Sequence, residues 1–374
     1  MNILFVFGTR PEAIKLAPLI LMLKSGYSKI KTTVCITAQH RQLLDEVLKF
    51  FAIEVDFDLN IMQPNQSLSS LTSRLINALD TVIMQEKPDL IIVQGDTTTA
   101  MVGALSGFYH KVKVAHIEAG LRSYDKTQPY PEEINRRIIS QISDFHFAPT
   151  LMAKDALEAG NITGYIEHTG NTVIDALFLG IKNVNRNQKI YHEKFPFLSD
   201  DKRFILTTVH RRENFGPPLE NICNAIRTIK ENYADIDFVI PIHPNPNVKE
   251  IIDRNLHNTA GVYLIDPLPY DSLIWMIQHS YFVLTDSGGI QEEAPSLGKP
   301  VIVMRNVTER MEGVLAGNAI LSGTNITDLI RCMEKLIMSD SEYKKMTKIV
   351  NPYGDGQSSE KIIKSLLREL NYEI

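Results

Sequence analysis

Phe282-Val283-Leu284-Thr285-Asp286-Ser287-Gly288-Gly289-Ile290-Gln291-Glu292-Glu293 is an apolar run that turns through two glycines into a helix-forming stretch. The spacing predicts a strand over Phe282–Thr285 and a helix over Gly289–Leu297, the repeating unit of an α/β fold. Gly288 and Gly289 let the backbone approach a ligand closely, and the free N–H groups of the first helical turn favour an anion. Ser287 adds a hydroxyl donor. Glu293, one turn in, suits a sugar hydroxyl and repels a phosphate. A Gly-Gly pair alone would be only a tight turn. With serine before it, two glutamates after it and a strand end beneath it, the stretch reads as a grip on phosphate plus ribose.

The same alternation of strand, turn and helix extends in both directions. The first half carries strand candidates at Ile3–Phe7, Thr33–Thr37, Asp89–Gln94, Lys113–Ile117 and Phe145–Ala148, with helical stretches at Arg41–Phe50, Leu68–Glu86, Thr98–Tyr109 and Glu132–Ile142. The second half carries strand candidates at Phe204–Thr208, Phe238–Pro241, Val262–Ile265, Phe282–Thr285 and Val301–Met304, and helices at Leu219–Glu231, Tyr270–Gln278 and Gly289–Leu297. The strands are continuous apolar runs, as parallel strands buried on both faces are. The chain therefore reads as two Rossmann-like domains, 1–169 and 170–355, with a seam near Gly170. Asn183–Asp201 reads as an exposed connection. A final helix, Ser358–Leu370 within 356–374, is compatible with packing on either domain.

A chain of 374 residues is too long for one ordinary core, which independently favours two domains. The formal charge of −5 gives no sign of a nucleic-acid partner, although it leaves a local basic groove open. Ile3–Phe7 is too short for a secretory h-region, and no run reaches membrane-span length. Cys35, Cys223 and Cys332 lie far apart and are odd in number, so they read as reduced thiols in a cytoplasmic protein.

Ligands of open α/β sheets sit beyond the strand C-termini, and polar residues cluster there. After Ile3–Phe7 comes Gly8-Thr9-Arg10-Pro11-Glu12. Pro11 suits the start of a helix, Arg10 can fork onto phosphate, and Lys15 lies about one turn on. Pro18 predicts a kink in that helix. Asp96, Glu118 and Glu132 follow strands or open helices. Singly each could be a cap or a complement to a helix dipole; together on one rim they form a set of candidate acids and bases. His210 follows Phe204–Thr208 and can donate to a phosphate or a leaving oxygen. His243 follows Phe238–Pro241. Trp275 and Met276 read as core. Arg310 could face either the site or solvent. There is no metal-binding spacing, no Gly-x-x-x-x-Gly-Lys-Ser/Thr loop and no nicotinamide-type glycine fingerprint.

Longer motifs add to this reading. GTRPEAIKLAP at 8–18, GDTTTA at 95–100, HIEAGLRS at 116–123, PYPEEINRR at 129–137, HRRENFG at 210–216, TDSGGIQEEAPSLGKPVIVMR at 285–305 and NPYGDG at 351–356 occur in order along nearly the whole chain. In these the sequence resembles the bacterial non-hydrolysing UDP-N-acetylglucosamine 2-epimerases. The resemblance implies a GT-B-type fold, with two Rossmann-like sheets facing a central cleft and the C-terminal helix returning to the first domain. It implies a reversible inversion at C2 to UDP-N-acetylmannosamine through 2-acetamidoglucal and UDP, supplying N-acetylmannosamine units for surface polysaccharide. Arg10, His210, Ser287, Gly288, Gly289, Glu293 and Arg310 are expected at UDP. Asp96, Glu118 and Glu132 are expected to move the proton with Lys15 beside them, and His210 to join the chemistry.

It further implies a regulatory UDP-N-acetylglucosamine site at Gln39, His40, Gln42, Arg74, Glu133, Arg211 and His243, a homodimer, and no cofactor, metal, nucleic acid or membrane partner. Two positions depart from the pattern: Met311 stands where relatives often carry proline, and Leu273 where some carry phenylalanine against the uracil. The alternatives are a hydrolysing epimerase, whose members depart from the segment Arg10–Lys15, a GT-B glycosyltransferase, and a non-catalytic nucleotide-sugar sensor.

Overall fold

The computed structural model describes residues 1–37, 41–63, 66–198 and 201–372, without the side chain of Gln42. Contacts divide the chain into two compact units, Met1–Leu179 with Tyr353–Ile374, and Gly180–Pro352.

The first unit is built on a seven-stranded sheet: β1 (Asn2–Phe7), β2 (Lys31–Ile36), β3 (Phe57–Asp58), β4 (Leu90–Gln94), β5 (Lys113–Ile117), β6 (Phe145–Ala148) and β7 (Tyr165–His168). Their order is β3-β2-β1-β4-β5-β6-β7, and every pairing is parallel. Leu4, Val6, Ile91, Val93 and Val114 pack against Leu71, Leu75, Leu79 and Val82. The last four lie three or four residues apart along the helix Leu68–Glu86, so one face of it covers the sheet.

The second unit repeats the plan with β8 (Arg203–Thr208), β9 (Ile236–Pro241), β10 (Val262–Ile265), β11 (Val283–Thr285), β12 (Val301–Val303) and β13 (Ala319–Leu321). Their order is β10-β9-β8-β11-β12-β13, again with every pairing parallel. Ile205, Phe238, Ile240, Leu284 and Ile302 pack among Ile222, Ile226 and Ile229 of one helix and Leu329, Met333 and Leu336 of another. In both sheets the strand order turns back beside the first strand of the unit, between β1 and β4 and between β8 and β11. That is the switch point at which open α/β sheets bind ligands.

Two local expectations are altered. The boundary of the first unit falls at Leu179, inside the continuous helix Thr172–Asn185, and not at Gly170. Asn183–Asp201 is not simply an exposed connection. It finishes that helix, forms a second helix at Gln188–Lys194, and buries Tyr191 and Phe195 with their rings stacked on Trp275 at 6.0 Å and 5.4 Å. Its polar composition hid two aromatic anchors. Pro18 lies inside the helix Arg10–Gly26.

The helix Ser358–Glu369 belongs to the first unit. It buries Ile362, Ile363, Leu366 and Leu367. Its first amides are satisfied from far away in sequence: Ser358 N–H and Ser359 N–H donate to the buried Asp175 at 3.3 Å and 2.7 Å. Gly356, just before it, has φ +80°, and a Cβ there would stand 2.3 Å from the Phe178 ring. Among the described residues no helix is long and apolar enough to cross a membrane. Asp175→Ala orphans two buried helix-start amides and is expected to cost about 1–3 kcal/mol of stability, measurable by urea unfolding. An unchanged midpoint would remove Asp175 as the anchor of this helix.

Candidate active site

At the first switch point, Glu12 closes the turn after β1. Its carboxylate accepts Gly8 N–H at 3.0 Å and Thr9 N–H at 2.7 Å, and takes the Thr97 hydroxyl at 2.6 Å from the turn after β4. Burial raises the Glu12 pKa, and these donors oppose the rise. Arg10 is the first residue of the helix and half-buried; Lys15 is buried one turn further on.

Lys15 Nζ lies 2.5 Å from Glu118 Oε1. The buried Glu118 also accepts from Gln94 Nε2 and, at 3.1 Å, from Asn171 Nδ2. Its backbone has φ +65°, a left-handed conformation that costs a side-chain-bearing residue about 1–3 kcal/mol and collects at functional sites. The carboxylate is thus aimed by its own backbone and compensated on both oxygens. His116, two residues earlier, bonds the Gly95 carbonyl at 2.7 Å, and burial pushes its pKa down to about 3. This neutral histidine holds the turn that carries Asp96.

Asp96 Oδ2 receives Arg136 Nε at 2.9 Å and Nη2 at 2.7 Å, while Asn135 Nδ2 holds the Asp96 carbonyl at 2.8 Å. Both donors come from the helix Glu132–Ile142, which therefore carries Glu132 to the rim that holds Asp96. Glu132 Oε2 is buried with no hydrogen-bond partner among the described residues. Its neighbour Glu133 is fully buried, which raises its pKa, yet Ser123 N–H, Arg137 and Arg136 carry the balance below the usual value. The structure so brings Lys15, Asp96, Glu118 and Glu132 to one edge of the first sheet.

At the second switch point, Asp286 follows β11 and His210 follows β8. His210 Nδ1 lies 2.9 Å from Asp286 Oδ1. The fully buried Asp286 also accepts Arg211 N–H and Asn214 Nδ2, each at 2.9 Å. Burial raises its pKa, but the contacts from His210 and from the backbone amides outweigh this and leave it lowered. The His243 ring stacks on the His210 ring at 6.2 Å.

Ser287 precedes the short α-helix Gly288–Glu293, and a 3-10 helix over Ala294–Leu297 completes the stretch for which the spacing predicts one helix, Gly289–Leu297. A Cβ on Gly288 would stand 3.2 Å from the Arg310 guanidinium carbon and 3.6 Å from Arg211 Nη2, so any larger residue would press on both cations. Glu293 Oε1 accepts the Tyr270 hydroxyl at 2.8 Å. Arg310 reaches Glu292 at 2.9 Å and Glu309 at 2.7 Å. Glu309 also meets Arg211 at 3.5 Å and Arg305 at 2.8 Å. Burial raises the Glu309 pKa, but Arg310, Arg305 and Arg211 bring it to about 2. Leu273 and Met311 are half-buried, and Met311 opens a helix, where a proline would also fit.

The expected regulatory residues fare unequally. Gln39, His40 and the side chain of Gln42 lie outside the described residues. Arg74 bonds Gln66. Glu133 meets Arg136, the partner of Asp96, while Arg211 adjoins Gly288 and His243 adjoins His210. The functional partners not singled out in the sequence are Asp286, Gln94, Asn171, Arg136, Tyr270 and Glu309. Asp286 stood inside the diagnostic stretch, at a strand end; the others act only through tertiary contact.

A family model described as UDP-N-acetylglucosamine 2-epimerase matches residues 25–367. The chain belongs to this family. A UDP-N-acetylglucosamine 2-epimerase of Campylobacter jejuni is 48% identical over 380 residues, covering 100% of this chain and 99% of that protein. A putative UDP-N-acetylglucosamine 2-epimerase of Thermotoga maritima is 49% identical, covering 99% and 97%. The crystal structure of the Neisseria meningitidis UDP-GlcNAc 2-epimerase bound to UDP-GlcNAc superimposes with a TM-score of 0.93 at 47% identity, covering 98% of this chain and 100% of that one. The architecture is therefore the GT-B-like one of these epimerases.

The arginine network generates a prediction about acid stability. Glu309 titrates at about 2 in the folded chain against the usual 4.5, so its stabilisation is complete above pH 4.5 and is lost as pH falls towards 2. Glu309→Gln is expected to flatten the pH dependence of unfolding free energy across that window in denaturant titrations. An unaltered slope would mean that the network does not hold Glu309 ionised.

Proposed function

We propose that the chain interconverts UDP-N-acetylglucosamine and UDP-N-acetylmannosamine without hydrolysis. The observation that carries this is the contrast between two carboxylates on one rim: Glu118 is compensated by Lys15, whereas Glu132 keeps a buried oxygen without a hydrogen-bond partner among the described residues. Proton removal and return on opposite faces of one carbon asks for two groups in unlike states. The intact Arg10–Lys15 segment, with Lys15 bonded to Glu118, supports the non-hydrolysing over the hydrolysing reading.

The C2 proton of the sugar is not beside a carbonyl and is only weakly acidic. Breaking the C1–O bond to UDP leaves positive charge shared by C1 and the ring oxygen, which acidifies C2–H. A carboxylate takes that proton, the C–H pair becomes the C1=C2 double bond, and 2-acetamidoglucal and UDP result. Protonation from the other face of C2 restores the cation at C1, and the diphosphate oxygen re-forms the bond. Arg10, Arg310, His210 and the Ser287-Gly288-Gly289 amides stabilise the departing diphosphate, and Glu293 takes the ribose. Asp96, Glu118 and Glu132 handle the proton, with Lys15 paired to Glu118.

Incubation with UDP-N-acetylglucosamine in deuterated water, followed by NMR, is expected to give UDP-N-acetylmannosamine with deuterium at C2. Free UDP with N-acetylmannosamine would instead indicate hydrolysis, and no exchange would leave a transferase or sensor. Asp96→Asn is expected to lower kcat by roughly 10²-fold or more while calorimetry still detects UDP binding; full activity would remove Asp96 from the mechanism.

We further propose that UDP-N-acetylglucosamine activates its own turnover through the regulatory set. Reactions started from UDP-N-acetylmannosamine alone are expected to show a lag that traces of UDP-N-acetylglucosamine abolish. A linear start with no response to such traces would exclude this activation.

A further inference from the structure

Asp286 has no role in the scheme above, yet it is a heavily bonded carboxylate at the second switch point. It is fully buried, one residue before Ser287. Oδ1 lies 2.9 Å from His210 Nδ1. Oδ2 collects His210 N–H at 3.0 Å, Arg211 N–H at 2.9 Å and Asn214 Nδ2 at 2.9 Å. An ionised carboxylate only accepts, so the nitrogen facing it must carry a proton. The free nitrogen of the ring is then Nε2, and the half-exposed side chain can offer it to a ligand.

We propose that Asp286 is a positioning residue for cleavage of the C1–O bond: it fixes the proton on His210 Nδ1, presents Nε2–H to the departing diphosphate and offsets the imidazolium charge. This rests on the epimerisation reading for the identity of the leaving group. The same carboxylate ties the His210 loop, after β8, to the Ser287-Gly288 turn, after β11. One buried charge therefore sets the spacing of two groups meant for one diphosphate.

Asp286→Asn tests this with little change of shape. The amide oxygen takes the place of Oδ2, where three donors converge, so the amide NH₂ faces His210 Nδ1. That nitrogen must then accept, and the proton moves to Nε2 on a neutral ring. Long-range ¹H–¹⁵N NMR of the UDP-bound protein, with the His210 signals assigned by their loss in His210→Gln, is expected to show Nδ1 protonated in the natural protein. It is expected to show the Nε2–H neutral tautomer in Asp286→Asn. In that variant kcat falls by roughly 10²-fold, with KM and UDP affinity changed far less.

A natural protein with an unprotonated Nδ1 overturns the proposal. So does an Asp286→Asn variant with the altered tautomer and natural kcat. Should the variant not fold, the measurement on the natural protein still decides. Should the natural protein show the expected tautomer but no C2 exchange, the epimerisation reading fails and the proton assignment stands.

Discussion

Everything polar that matters here depends on where the strand order turns back. In each sheet the chain leaves the first strand in one direction and later lays the fourth on its other side. The connections on the two sides of that line diverge and leave backbone ends uncovered. The first unit fills that place with Glu12 and Thr97, bonded across from the turn after β1 to the turn after β4. The second fills it with His210 and Asp286, bonded across from β8 to β11. Each is a side-chain tie just beyond the ends of two paired strands, β1 with β4 and β8 with β11.

The charges around these ties are arranged in contrasting ways. On the first sheet a buried carboxylate, Glu118, is held by a lysine and two amides on a backbone of positive φ, while Glu132 keeps one oxygen unspent among the described residues. On the second sheet Arg211, Arg305 and Arg310 converge on Glu309. The acidic groups of the first are kept distinct in environment, as acid–base work demands. The cations of the second are preassembled around a carboxylate, with their guanidinium groups oriented by it.

The repeating strands, the turn at Ser287-Gly288-Gly289 and the carboxylates after β4 and β5 were legible because each is local. An apolar run, a glycine pair or an acid at a strand end is written in adjacent residues. What escaped needs a partner from elsewhere. Asn183–Asp201 looked like a polar linker because the purpose of Tyr191 and Phe195 lies in Trp275, many residues on. Arg136 could not be read as the partner of Asp96, since a register between a helix face and a remote turn has no local signature. His116 looked like one more residue in a motif; only burial against the Gly95 carbonyl gives it a task. The long motifs carried the identity because they preserve these remote pairings as fixed strings even where the pairings themselves cannot be seen.

The anchoring of the last helix has a consequence for synthesis. Asp175 waits for amides 183 residues further along the chain. While a ribosome is still making the second unit, the first has a sheet but lacks one of its covering helices and the Ser358 and Ser359 amides that Asp175 accepts. The second unit, contiguous in sequence, can close first. The unit that is begun before the other is thus finished after it, and its incomplete apolar face must be kept out of trouble until the helix Ser358–Glu369 emerges.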